Sequence, residues 1–377
     1  MPLSHRSGAF PWNALISGYS ELGQHEDALA LYFQMEEDGI EPDCFTFPRV
    51  LKACGAIGSL PHGEAVHRHL IRCGFAVDPF ALNGLIDMYA KCGDIAGARR
   101  LFDSIPKRDA VSWNAMLNGY IRHGLFPEAM DICRRMLVAC HEPDAVTISS
   151  ILAGCASARC DLGLHIHGWV LRRGLESAIS VANSLITMYS ERNQLHSARH
   201  IFNSMPEKDL VSWNAILAAS RRDHRVVDLF RKMERSGIAP DAITFVSFLS
   251  ACANLGLVEV GCTVFDEMED KYGVKPGMEH YGCMVNLLGR AGLIEEAQNL
   301  VSTKMPFDGG PTVWGALLYA CSVHGNVCIG ETAAARLFEL EPDNMHNFDL
   351  LRKIYRDAGR LEDVERVGKL MKERGLY

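Results

Sequence analysis

The sequence predicts an all-α protein, an α-solenoid of stacked helix–turn–helix hairpins. Three observations predict it. First, a phrase recurs: Pro11-Trp12-Asn13-Ala14-Leu15 returns as Ser112-Trp113-Asn114-Ala115-Met116 and as Ser212-Trp213-Asn214-Ala215-Ile216, in steps of 101 and 100 residues. Second, this long period subdivides into blocks of about 35, 35 and 31 residues, each the size of one two-helix unit. Third, apolar residues within a block recur at helical spacing. In the fourth block Met116, Leu117 and Tyr120 mark one apolar face and Gly124 breaks the run. Ala129, Ile132, Cys133 and Met136 resume it, and Pro143 is expected to stop the second helix. One hairpin cannot bury its apolar face alone, whereas stacked neighbours share a continuous core with a concave inner wall.

The blocks fall in triplets. The first runs 9–43, 44–78 and 79–109; the second 110–144, 145–178 and 179–209; the third 210–241, 242–277 and about 278–309. The first member of the third triplet is about three residues short around Arg221–Val226. The 31-residue blocks echo one another: Asn83-Gly-Leu-Ile-Asp-Met-Tyr matches Asn183-Ser-Leu-Ile-Thr-Met-Tyr, and both close on Pro106 or Pro206 followed by Asp109 or Asp209. The expected organisation is a short lead at 1–8, nine repeats over 9–309 and a helical tail over 310–377.

Bulk composition narrows the function. A formal charge of −8 argues against loose, purely electrostatic binding to nucleic acid, but leaves room for a local groove that reads bases. No apolar run is long enough to span a bilayer, so no membrane association is expected. Thirteen cysteines follow no secretory signal, and Cys54, Cys155 and Cys252 share the eleventh position of equivalent blocks. Such cysteines read as small core residues in a reducing compartment. No Arg/Ser-rich leader precedes the first block, so either a presequence is missing from this chain or the chain is an N-terminal fragment.

Catalytic and metal motifs are decoys or absent. His62-Gly63-Glu64 fits half of a zinc-deaminase signature, but no Pro-Cys-x-x-Cys follows. His67/His69 and His165/His167 are i,i+2 pairs that point to different helix faces, and the recurrence of His67 and His167 marks them as scaffold. No Gly-rich phosphate loop, Gly-x-Ser-x-Gly elbow or His-Glu-x-x-His motif occurs. The expectation is a non-enzyme without metal or cofactor.

At this point the chain resembles the pentatricopeptide repeat proteins of plant organelles. Trp12-Asn-Ala-Leu-Ile-Ser-Gly-Tyr closing on Ile40-Glu-Pro-Asp43 carries the resemblance, and the 35/35/31 alternation is similar to the P, L and S motifs of the plant PLS class. Cys44 to Cys54 looks like an L opening, and Met278 to Gly292 like a terminal S-type motif. Val313-Trp-Gly-Ala-Leu-Leu318 through Asp343, then Leu350 to Tyr377, resemble the two halves of an E-type tail. The resemblance covers residues 9–377. Many relatives continue into a deaminase-like domain, which does not follow here before Tyr377.

The resemblance implies that single-stranded RNA is read one base per repeat by the fifth and last residues. Carried over by position, the RNA-binding pairs are Asn13/Asp43, Asn83/Asp109, Asn114/Asp144, Asn183/Asp209 and Asn214/Asp241. An Asn amide offers both a donor and an acceptor to a base edge, and in the family Asn/Asp is associated with uracil and, more weakly, cytosine. Without the resemblance, the same Asn residues would order their own helix and the Asp residues would cap the next one. The L-type pairs Pro48/Asp78, Ser149/Ala178 and Val246/Gly277 are silent, as is Gly282. The implied register over repeats one to seven is pyrimidine, any, pyrimidine, pyrimidine, any, pyrimidine, pyrimidine, with the RNA 5′ end at the N-terminal side. Second-position Phe10, Phe45, Phe80, Val111, Val146, Val211 and Ile243 are expected to wedge beside bases, and Ser180 and Glu279 break that pattern. Lys91, Arg122, Arg221, Arg222 and Arg290 are candidates for phosphate contacts or solvated charge.

The expected partners are pyrimidine-rich single-stranded organelle RNA and, at the E-type tail, a protein: a deaminase or a splicing factor. The expected role is organelle RNA maturation, by intron splicing or by recognition of C-to-U editing sites, with catalysis supplied in trans. The plastid is favoured and the mitochondrion stays open. The competing reading is a protein-binding scaffold of the tetratricopeptide kind, against which the 35/35/31 alternation argues.

Overall fold

The computed structural model describes residues 8–158 and 162–376. The expected lead lies outside them apart from Gly8, as does Tyr377 at the end of the tail. All regular structure among the described residues is helical, and the chain divides into two compact units, 1–192 and 193–377.

The first unit carries α1 (Ala9–Glu21), α2 (His25–Glu37), α3 (Thr46–Ile57), α4 (Leu60–Arg72), α5 (Pro79–Lys91), α6 (Ile95–Ser104), α7 (Ala110–Arg122), α8 (Phe126–Val138), α9 (Ala145–Ala158), α10 (Leu162–Arg173) and α11 (Ile179–Glu191). Odd-numbered helices pack on one another in sequence from α1 to α11, and the even-numbered helices pack against them in a second layer, α2, α4 and α6 each meeting both odd helices that flank it. The helices open at the blocks' first residues Ala9, Pro79, Ala110, Ala145 and Ile179; only α3 starts late, two residues after Cys44.

The second unit carries α12 (Leu195–Ser204), α13 (Leu210–Ala219), α14 (Val226–Arg235), α15 (Ala242–Leu255), α16 (Val258–Tyr272), α17 (Met278–Arg290), α18 (Ile294–Asn299), α19 (Pro311–His324), α20 (Val327–Leu340), α21 (Met345–Asp357) and α22 (Leu361–Glu373). Here α13, α15, α17, α19 and α21 stack in turn. The shortened block shows as a pair of ten-residue helices, α13 and α14, where their counterparts α7 and α8 have thirteen residues each.

Left-handed residues close the hairpins. Gly124 (φ 70°) ends the run after α7, where an L-residue with Cβ would be strained. In the sixth block Asn193 stands where Gly93 stands in the third and adopts φ 57°, the substitution that αL best tolerates. One expectation needs correcting: Pro143 does not stop α8. That helix ends at Val138, and Cys140 reverses the chain with φ 59° while its N–H bonds the Leu137 carbonyl at 3.0 Å. A left-handed C-terminal closure consumes the free carbonyls several residues before proline could act.

Packing follows the repeat. Phe102 meets Trp113 edge-on with centroids 5.0 Å apart, and Phe202 meets Trp213 at 4.9 Å. Trp12, in the first described hairpin, is only half-buried. Met116, Leu117, Tyr120, Ala129, Ile132, Cys133 and Met136 are all buried, as read from their spacing. Cys54, Cys155 and Cys252 are buried, and burial pushes the Cys54 and Cys252 thiols up to about 12, so they pack as small apolar groups. His67 bonds the Tyr89 hydroxyl at 2.9 Å and His167 bonds that of Tyr189 at 2.7 Å, a repeated scaffold contact. His69 turns the other way, to Tyr32 at 2.8 Å.

Glycines set the closest helix approaches. A Cβ on Gly163 of α10 would lie 2.9 Å from Met188 Sδ, and Gly63 of α4 abuts Met88 in the same way. In the second unit Gly261 abuts Leu287, and a Cβ on Gly330 of α20 would lie 2.8 Å from Ile354 Cδ1. The tail hairpin α19–α20 therefore packs on α21 by the same device as the L-type blocks.

Candidate nucleic-acid interface

Each odd-numbered helix presents its opening residues along one surface of its unit. At the second position Phe10, Phe45, Phe80, Val111, Val146, Val211 and Ile243 are 58–75% exposed. A row of large apolar side chains left in water at fixed intervals is a surface that gains from being covered. Ser180 and Glu279, the two departures, are also exposed.

Behind each wedge sits the fifth residue. Asn13 donates from Nδ2 to both carboxylate oxygens of Asp43, at 3.0 and 3.1 Å. Asn214 donates to Asp241 Oδ1 at 3.1 Å, and Asn114 hydrogen-bonds Asp144. Each bond joins adjacent hairpins, because the Asp that ends a block stands at the start of the next hairpin's first helix. The same carboxylates hold the start of the next helix: Asp241 Oδ1 accepts Thr244 N–H at 2.8 Å, Asp144 that of Thr147 at 2.8 Å, and Asp43 those of Phe45 and Thr46 at 2.9 and 3.0 Å. Capping and pairing with Asn are thus one arrangement, not alternatives.

A third residue completes the cluster, and it was not among the residues singled out in the sequence. Thr46 donates its hydroxyl to Asn13 Oδ1 at 2.7 Å, Thr147 to Asn114 Oδ1 at 2.5 Å and Thr244 to Asn214 Oδ1 at 2.6 Å. The signal was present as Asp-x-x-Thr at 43–46, 144–147 and 241–244. It reads as a helix cap, and nothing in its spacing says that the hydroxyl reaches back to the preceding hairpin.

The S-type pairs differ. Asn83 Nδ2 lies 3.4 Å from Asp109 Oδ1, and Ser112 turns both its N–H (2.8 Å) and its hydroxyl (2.7 Å) to Asp109. Asn83 Oδ1 is buried without a hydrogen-bond partner. Asp209 likewise accepts from Ser212 N and Oγ, at 2.8 and 2.7 Å, capping α13 in the second unit. Asn183 is buried on α11 of the first unit. At the corresponding L-type positions Pro48, Ser149 and Val246 are half-buried, and Asp78 caps α5 through Ala81 N–H at 3.3 Å.

Electrostatics keep the carboxylates ionised. Burial is the largest single influence on Asp43, Asp109, Asp144 and Asp241 and pushes each up. The backbone, hydroxyl and Asn hydrogen bonds together outweigh it and hold all four below the ordinary carboxylate range. A depressed folded pKa contributes stability that is fully present above the unfolded value of about 3.9 and is lost as pH falls through the lower folded values. Unfolding measured from pH 5 to 2 is therefore expected to show a stability loss below about pH 4. Asp144→Asn and Asp241→Asn, which keep a capping side chain that cannot titrate, flatten that loss; an unchanged acid profile in both would contradict the assignment.

The basic candidates separate. Lys91 is ion-paired with Asp87 at 2.7 Å, and Arg290 bonds Asn254 Oδ1 at 3.3 Å. Arg122, Arg221 and Arg222 are exposed. No group of three His, Cys, Asp or Glu residues among the described residues is placed to hold a metal ion, and His62 bonds Ser59 at 2.7 Å. No helix among the described residues is long and apolar enough to cross a membrane.

Models of the PPR repeat family match residues 8–56 and 108–157, those of the PPR repeat match 80–109 and 180–210, that of the pentatricopeptide repeat domain matches 228–291, and that of the E motif matches 324–377. The chain is 59% identical to the Arabidopsis thaliana pentatricopeptide repeat-containing protein At4g25270, chloroplastic, over 98% of its own length and 70% of that protein. It is 40% identical to CRR2, chloroplastic, also from Arabidopsis thaliana, over 97% of this chain and 57% of that one. Several further relatives extend well beyond the match, the chain spanning about half to two thirds of their length. Among solved structures, the pentatricopeptide repeat protein PPR10 from maize superposes with a TM-score of 0.69 at 18% identity, covering 98% of this chain and 59% of that one. A second structure holds PPR10 in complex with an 18-nt psaJ RNA element and superposes with a TM-score of 0.64 at 18% identity, over 98% and 61% of the two chains. The fold is thus the helical-repeat α-solenoid. This chain belongs to the pentatricopeptide repeat family.

Proposed function

We propose that the chain binds pyrimidine-rich single-stranded RNA in a plant organelle, one base per repeat, at Asn13/Asp43, Asn83/Asp109, Asn114/Asp144, Asn183/Asp209 and Asn214/Asp241. The single observation that carries this reading is the recurring Asn–Asp hydrogen bond between adjacent hairpins beside an exposed apolar wedge. Asn13 and Asn214 each spend one amide N–H on Asp and one lone pair on Thr, leaving one donor and one acceptor for a base edge. The RNA complex of PPR10 and the chloroplastic relatives support RNA binding and a plastid setting. On this reading residues 9–309 form nine repeats and 310–377 an E-type tail that engages a protein partner. The RNA is held for intron splicing or for recognition at a C-to-U editing site, with any chemical step supplied by another polypeptide.

Selection from a randomised RNA pool by the purified protein at near-physiological salt tests this reading. Enrichment of pyrimidines at the spacing of repeats one, three, four, six and seven is the expected result. Binding without enrichment that fades smoothly as salt rises would overturn it in favour of a protein-binding scaffold.

A further inference from the structure

The clusters at Asn13, Asn114 and Asn214 are not equivalent to the one at Asn83, and the difference bears on what each accepts. This inference rests on the base-reading function proposed above and refines it. In the three P-type clusters the amide orientation is dictated. Turning the amide over would set Asn13 Oδ1 against the Asp43 carboxylate and would cost Oδ1 the Thr46 hydroxyl, whose other acceptor within reach is Asp43 Oδ1 at 3.0 Å. The same holds for Asn214 between Asp241 and Thr244. Thr147 fixes the oxygen of Asn114 at 2.5 Å. Threonine suits the task because its branched Cβ limits χ1, so the hydroxyl stays where it points.

Asn83 has no such partner. Its Nδ2 is held only at 3.4 Å, the neighbouring Ser112 hydroxyl is committed to Asp109, and its Oδ1 is buried at 8% residue exposure with no hydrogen bond. A buried carbonyl oxygen without a donor is costly, so this orientation of the amide is held only by the 3.4 Å contact with Asp109. The two ends of this amide are nearly isosteric, so only its long contact with Asp109 opposes turning it over to suit the ligand.

Base chemistry makes orientation matter. From position 4 to position 3, uracil presents an acceptor and then a donor, whereas cytosine presents a donor and then an acceptor. For a base in a given pose, a locked amide matches one order and a free amide matches either. We infer that Thr46, Thr147 and Thr244 are positioning residues that lock the reading amides of repeats one, four and seven for uracil over cytosine, and that Asn83 in repeat three accepts both pyrimidines.

The test uses the RNA enriched in the selection, with uracil or cytosine placed in turn at the bases assigned to repeats three and four. Dissociation constants are measured for the wild-type chain, Thr147→Val, Thr147→Ser and Asn114→Ala. For the wild type the uracil preference is expected to be about tenfold at repeat four and within about twofold at repeat three. Thr147→Val, isosteric but without the donor, is expected to bring repeat four to within about twofold by binding cytosine better relative to uracil. Thr147→Ser keeps the donor and the preference. A Thr147→Val chain that keeps the preference, or that loses affinity for both bases equally, overturns the inference and leaves Thr147 as a helix cap only. A wild-type preference as sharp at repeat three as at repeat four overturns the part concerning Asn83. Asn114→Ala separates the two levels. If it abolishes the preference while Thr147→Val does not, only the locking inference fails. If it leaves the preference intact, base reading by Asn114 itself fails.

Discussion

Replacing Asn114 and Asn214 together by alanine is expected to weaken RNA binding by about 2–6 kcal/mol, at least roughly 30-fold, with the fold intact. Each amide retains one N–H and one lone pair for a base edge, and a good two-point contact of this kind is worth about 1–3 kcal/mol. The two asparagines share no partner, so their losses add. Stability is expected to hold for local reasons. Both residues lie inside helices, α7 and α13, where alanine is the better helix former. Both are only part-buried, so water can replace the lost bonds to Asp144, Thr147, Asp241 and Thr244. Fluorescence anisotropy at fixed salt, paired with thermal melts, measures both quantities. A dissociation constant within twofold of wild type would remove these asparagines from the binding site.

Phe102→Ala is expected to destabilise the first unit by about 3–5 kcal/mol. The ring is fully buried, packs edge-on against Trp113, and lies 4.7 Å beneath the Arg108 guanidinium. Truncation leaves a cavity between α6 and α7 beside the Trp113 ring. Because each hairpin touches only its neighbours, the damage stays local and unfolding loses cooperativity. Denaturation is therefore expected to separate into two steps, the weakened segment unfolding first. Phe202→Ala, at the matching contact with Trp213 in the second unit, is expected to reproduce the effect there. A single transition shifted by less than about 1 kcal/mol would show that the Phe–Trp contacts are not where these hairpins derive their cohesion.

Much of the architecture was legible because it is periodic and local. Met116, Leu117, Tyr120, Ala129, Ile132, Cys133 and Met136 were assigned to the core from spacing alone, and the shared position of Cys54, Cys155 and Cys252 marked them as packing residues. The His67 and His167 recurrence pointed to scaffold, which their bonds to Tyr89 and Tyr189 bear out. The end of α8 was misplaced because a strong breaker, Pro143, lies close by. A cysteine in a left-handed conformation carries no comparable signature, so Cys140 gave no warning. Lys91, a candidate for phosphate contact or solvated charge, is ion-paired with Asp87 one helical turn back.

The pairing of each fifth residue with a last residue was implied only by the family resemblance, whereas the repeat register and the helical fold were determined by sequence alone. Those properties follow from spacing along one chain, from helix start and stop chemistry and from the need of each hairpin to bury its face on the next. The tertiary structure decided which way the reading amides face. Asn13 is 30 residues from Asp43 and 33 from Thr46, and only stacking of neighbouring hairpins brings the three side chains within hydrogen-bond reach. The same stacking gives Asn83 an aspartate at 3.4 Å and no hydroxyl, although the sequences around Asn83 and Asn114 look alike as repeats. A hydrogen bond depends on distances of a few tenths of an ångström, which the helix-to-helix approach sets and no linear pattern records.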